Sequence, residues 1–185
     1  MMQYRRRFLI VLCLLIAISG LSAQERPVLT AGIIQNFIDN MDGMDEAFEE
    51  IEKEKDFLDF TEKMDEFQES LTAYLYGEGN DFPAFRAAFM QVKNIRAPSV
   101  DRVFSRFGLG QRGAEAFFVI TLGMTIGLLE SKLEAVLSDL DSGETEEFEA
   151  LADMQNKLAM MRGLIHPNDM TSLQTSMDAL LEELF

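Results

Sequence analysis

Six basic side chains sit together in an otherwise acidic chain. Arg86, Lys93, Arg96, Arg102, Arg106 and Arg112 fall within residues 86–112, where Asp101 is the sole acid and the local net charge is +5. Guanidinium and ammonium groups at this density suit recognition of an anion, whether a lipid headgroup, a cell-wall fragment or an acidic partner surface. The competing reading is structural: the island docks against acidic helices of its own molecule and relieves their repulsion, each exposed pair contributing about 0–1 kcal/mol. The flanks favour that reading. Residues 39–69 carry 14 acids and three lysines, net −11, and residues 130–185 carry 13 acids and three bases, net −10. Charges on helices are generally solvated or paired locally.

Oxygen-ligand chemistry has two candidates. Asp139-Leu140-Asp141-Ser142-Gly143-Glu144, followed by Glu146, Glu147 and Glu149, looks like a degraded EF-hand loop, with Asp139, Asp141 and Glu144 as the calcium candidates. The EF-hand pattern places oxygen ligands at loop positions 1, 3 and 5, glycine at 6 and a bidentate glutamate at 12. Counted from Asp139, the glycine arrives one residue early and position 12 is Ala150. The segment from Ile38 to Glu49 places Asn40, Asp42, Gly43 and Glu49 at positions 3, 5, 6 and 12, but Ile38 fills position 1. Capped turns explain both stretches better than a calcium-responsive site does.

Methionine is abundant, and a thioether cluster would suit copper. Only Met160 and Met161 are adjacent beyond the N-terminus, and most others share stripes with Phe and Leu, as core gap-fillers do. A core of Met and Phe can also line a cavity for a small apolar or amphiphilic ligand. Catalysis finds little support. His166, the single histidine, precedes Pro167 at a helix start and reads as a boundary residue, with no serine nucleophile motif near it. One histidine cannot build a His-rich metal site. Gly108-Leu109-Gly110-Gln111-Arg112-Gly113 has GxGxxG spacing but no preceding strand, so a connector between two helices is expected there. The expectation is a noncatalytic protein without cofactor.

The elements that position these residues are helices, since no segment alternates with period two. Thr30 caps a first helix whose apolar stripe runs through Ile33, Ile34, Phe37, Ile38 and Met41, with Gly43 loosening it. A second stripe from Phe60 to Tyr74 is out of phase, and Asp59 with Glu62 has capping-box spacing. Gly77 to Asn80 is a loop. Pro83 opens a short helix that ends before Pro98, and Ser99 is placed to cap the next, which Gly108 stops. From Phe117 to Leu129 only two glycines and two threonines interrupt large apolar residues, which predicts a buried central helix near 114–140. That run is shorter than the ~20 residues of a bilayer span. Gly123 and Gly127, four apart, leave room for close approach by another helix. Gly143 marks a turn, a helix follows over about 145–162, Gly163 stops it, and Pro167 opens the last. The fold expected is all-α: a single-domain bundle of about six to eight amphipathic helices.

The N-terminus reads as an export signal. Arg5, Arg6 and Arg7 precede an apolar run from Phe8 to Ile18, and Leu21-Ser22-Ala23 offers a cleavage site before Gln24. Cleavage after Ser22, with Gly20 three residues before the cut, is the alternative. Arg5-Arg6-Arg7-Phe8-Leu9 also looks like a twin-arginine signal, but the general secretory route fits the very apolar run and the lack of cofactor ligands better. Cys13 lies inside that run, followed by Leu14-Leu15-Ile16, so no lipid anchor is expected. The division is therefore 1–23 signal peptide and 24–185 one helical domain. The remaining chain has no cysteine, with 13 basic against 32 acidic residues, a net charge of −19. That disfavours nucleic acid and anionic membrane surfaces as partners, and stability must come from packing without disulfides.

Gln35-Asn36-Phe37-Ile38, the Arg102-Val103-Phe104-Ser105-Arg106-Phe107-Gly108 turn and the closing Leu-rich helix together resemble exported helical proteins of Gram-negative and spirochaete-like bacteria whose activity is unknown. The resemblance implies a bacterial envelope setting and carries no functional residue. The function expected is a periplasmic or secreted module that binds an envelope protein or anionic ligand.

Overall fold

Thr30 opens the first helix: its Oγ1 accepts the Ile33 N–H at 3.2 Å, satisfying one of the free donors of a helix start. In the computed structural model, which describes residues 26–77, 81–139 and 145–182, eight helices follow and the fold is all-α. They are α1 (Ala31–Asp39), α2 (Met41–Glu49), α3 (Lys55–Tyr76), α4 (Phe82–Lys93), α5 (Pro98–Arg106), α6 (Gly113–Asp139), α7 (Thr145–Arg162) and α8 (Pro167–Glu182). The break in the first apolar stripe falls at Asn40, whose amide folds back onto the Asn36 carbonyl at 2.8 Å. Gly43, expected to loosen the chain, lies inside α2, where it admits Phe107: a Cβ there would sit 3.2 Å from that ring.

Two expected caps are relocated. Asp59 and Glu62 lie within α3, because the helix already starts at Lys55. Ser99 is inside α5, and its N–H is satisfied by Asp56 of α3 at 2.7 Å. The end of α5 follows the expected rule. Gly108 takes φ +81°, the Leu109 N–H reaches the Phe104 carbonyl at 2.9 Å and the Gly108 N–H reaches Ser105 at 3.1 Å. This is the Schellman closure, which needs a residue tolerant of the left-handed region.

The centre is α6. Phe118, Val119, Ile120, Leu122 and Ile126 are buried along it, and α1, α4, α5, α7 and α8 all pack against it. The helix carrying the apolar run is longer than the run itself, so residues 113–138 would cross a bilayer by length and composition. Length therefore does not separate core from span here; the helices packed around α6 are what make it the core of this bundle. Its two glycines face α8. A Cβ on Gly123 would fall 2.4 Å from Leu173 Cδ1, and one on Gly127 would fall 2.7 Å from Met177 Cε. Leu173 and Met177, one turn apart, drop into the gaps the glycines leave.

Twelve aromatic rings form one connected series through the bundle. It runs from Phe37 to Phe117 and Phe104, through Phe48, Phe57 and Phe60 to Phe118 and Phe67, where Phe89 branches off, and on through Phe85 to Tyr74 and Phe82, with centroids 5.3–6.4 Å apart. Such contacts add about 0.5–1.5 kcal/mol per pair beyond area burial. Met44 and Met161 are buried among these helices, and Met41, Met64, Met124, Met154, Met170 and Met177 pack on the core's margin.

Candidate functional site

The six basic residues divide by what they touch. Arg112 grips Glu115, one turn on in the same stretch, through two 2.6 Å hydrogen bonds and also donates to the Arg26 carbonyl at 3.2 Å. Lys93 of α4 approaches the same carboxylate at 3.7 Å, with both side chains nearly buried. Glu115 and Lys93 are the nearly buried members and Arg112 is half-exposed; removing either cation leaves the Glu115 carboxylate less compensated, so Arg112 and Lys93 join α4, α6 and the N-terminal segment. Arg106 pairs with Glu50 at 3.5 Å and lies over the Phe107 ring, and Arg102 reaches both Glu54 oxygens at 3.3 Å. These two pairs bridge α5 to the acidic α2–α3 turn. All four side chains in them are well exposed, so each pair contributes little. Arg86 stands on the exposed side of α4.

Arg96 differs from the others. Like Arg86 it is exposed, with no carboxylate of the described residues within ion-pair distance, but it lies in the α4–α5 connector and, unlike Arg86, lines a groove. With Pro98, Asp101, Arg102, Ser105 and Gln111 it lines an open groove of about 520 Å³. Positions 98, 101, 102 and 105 form one stripe of α5. Gln111 joins from the α5–α6 turn, whose path is tied by the Ser105 hydroxyl donating to the Gly110 carbonyl at 2.9 Å. Three groove residues therefore present hydrogen-bond donors, and Asp101 presents a carboxylate.

Asp101 in this lining feels the charge of a second carboxylate, Asp56. Asp56 is held below the ordinary aspartate value, chiefly because it accepts the Ser99 backbone N–H, with Arg102 adding attraction. Asp101 is pushed up, first by burial and further by the Asp56 charge, while the Ala114 N–H opposes the rise. Asp56 thus caps α5 from α3.

Sequence reasoning missed Asp169. This residue of the first turn of α8 is only 2% exposed, and its carboxylate accepts the Val28 N–H at 2.9 Å and the Leu29 N–H at 2.7 Å. Together with Arg112 on the Arg26 carbonyl, it fastens the segment leading into α1. A first-turn acid after Pro167 signals a helix start, but nothing local tells that backbone 140 residues earlier will supply the donors. His166 is the boundary residue expected: its Nδ1 accepts the Asn168 N–H at 3.1 Å.

Asp141 and Glu144 lie outside the described residues, as does the side chain of Asp139. The other calcium segment is not a loop, since residues 38–49 form the end of α1, Asn40 and α2. Among the described residues no group of three or more His, Cys, Asp or Glu side chains is arranged to hold a metal ion. The GxGxxG stretch is the α5–α6 connector. A second groove, of about 270 Å³, lies between α6 and α7 over Leu133, Leu137 and Leu158, with the Arg162–Glu130 pair at its rim.

The segments that carry the family resemblance meet in space. Asn36 of α1 donates to the Gly108 carbonyl at 3.1 Å, joining the Gln35–Ile38 stretch to the Arg102–Gly108 turn. The class defined by the geometry is an all-α bundle. No protein family matches this chain, no curated protein matches it, and no solved structure matches it.

Proposed function

We propose that this is an exported, noncatalytic binding module of a bacterial envelope, and that it holds an anionic ligand or partner in the groove between Arg96 and Arg102. The observation that carries the reading is Arg96: an exposed guanidinium without an ion-pair partner among the described residues, beside a second arginine whose own pair is long. Charge-assisted bonds of this type prefer about 2.7–2.9 Å, so the 3.3 Å contacts to Glu54 leave Arg102 free to turn toward a better-placed anion. The export signal over residues 1–23 supports the setting. Of the other island residues, Arg112 and Lys93 serve the fold.

The carrier reading draws less support, because the Phe and Met side chains pack on one another along the ring series. The test is site-specific photo-crosslinking from Gln111 in an exporting bacterium. Envelope species captured by the wild type should disappear with Arg96→Glu. The same capture in that variant, or none from the wild type, would overturn the assignment.

A further inference from the structure

Resting on the reading of this groove as the ligand face, we infer that it recognises a single carboxylate flanked by neutral hydroxyl or amide groups, in preference to a phosphate or a polyanion. The first argument is local charge. Arg96 and Arg102 contribute two positive charges; Asp101 within the groove and Glu54 behind Arg102 contribute two negative ones. Asp56, outside the lining, adds a further negative charge near Asp101 and accepts the Ser99 N–H. A monoanion on the Arg96 fork meets about half the repulsion from Asp101 that a compact dianion in the same place meets.

The second argument is the field of the whole molecule. A chain with 32 acids against 16 basic residues repels polyanions and anionic surfaces once they come within the roughly 8 Å that physiological salt leaves unscreened. A small ligand with one charge pays little of that penalty. The third is the remaining chemistry of the wall. The Gln111 amide can donate and accept, the Asp101 carboxylate accepts from a hydroxyl or an N–H, and Pro98 with the arginine stems offers apolar contact. Those groups complement the neutral neighbours of a carboxylate in a peptide end or an acidic sugar.

The experiment is a nitrogen-15 NMR titration of the protein purified from an exporting host, at pH 8. The probes are N-acetylglycine, glucuronate and inorganic phosphate, the last being dianionic there. N-acetylglycine or glucuronate, or both, should saturably shift the Gln111 side-chain amide and the Arg96 and Arg102 Nε signals, and whichever binds tighter identifies the source as peptide end or sugar acid. Phosphate should bind more weakly and should gain about threefold in Asp101→Asn, the effect of one charge removed across a solvated groove. Arg96→Gln should weaken all binding by more than about tenfold with an unchanged amide spectrum elsewhere. Phosphate equalling or exceeding both carboxylates in the wild type would overturn the carboxylate assignment and leave the anion groove standing. Groove signals unmoved by all three probes would overturn both.

Discussion

Asp169 holds two backbone N–H groups with one buried carboxylate, and hydrogen bonds to a charged group contribute about 1.5–3 kcal/mol each. Asp169→Ala leaves Val28 and Leu29 with unpaired buried donors. We expect a loss of about 2–4 kcal/mol by denaturant unfolding, with hydrogen-exchange protection at amides 28 and 29 lost first. Protection unchanged at those amides would show that the segment is held by Leu29 burial alone. Asp56 makes a pH-dependent contribution. Its folded-state value lies below the ordinary 3.8, so its stabilisation is complete above that value and is lost as pH falls through the lowered one. The melting temperature of Asp56→Asn should lie below wild type at pH 7 and converge with it as pH falls through the lowered Asp56 value. Asp101 has the opposite sign. Its raised value means that ionisation costs stability as pH climbs through it, so Asp101→Asn should be neutral or stabilising at pH 7.

At the scale of elements, the α6–α8 contact rests on what Gly123 and Gly127 lack. Gly123→Val forces Leu173 from its seat, and overpacking of this kind costs about 1–3 kcal/mol. Gly123→Ala combines a smaller clash with a gain of up to about 1 kcal/mol in helix propensity. Its cost should therefore be slight, and Leu173→Ala should cost less in the Gly123→Ala background than in wild type. Additive effects in that cycle would mean the two positions do not touch. This contact was legible in the sequence because a four-residue glycine spacing inside an apolar run has few other uses, and so were the Thr30 cap, the Gly108 stop and the starts at Pro83 and Pro167. The cap at Ser99 was not. Asp56 reaches that N–H from another element, and local spacing is blind to an acceptor brought in by tertiary packing. The six-residue island was visible as composition, yet its division into Arg112 and Lys93 on Glu115 and Arg96 on open solvent depends on where α6 starts. Gly43 misled because glycine weakens helices in general, while here the missing Cβ admits Phe107.

For the whole molecule, the proposal joins an expected export signal, a strongly acidic bundle and a groove where Arg96 and Arg102 stand among carboxylates. Intact-mass measurement of the protein from an exporting bacterium should find the chain beginning at Gln24, with Ala23 as the neighbouring alternative. A mass retaining residues 1–23 would contradict the export reading. The acidic surface keeps bundles apart and turns polyanions away, so a ligand must be small or singly charged to reach Arg96. The measurement that tests this most directly sets melting temperature beside N-acetylglycine and glucuronate affinities for Arg96→Glu and Arg112→Glu. The account predicts that Arg96→Glu abolishes binding at an unchanged melting temperature, while Arg112→Glu lowers the melting temperature and, where folded, still binds. Binding that survives Arg96→Glu, or is lost only in step with stability in both variants, would contradict it.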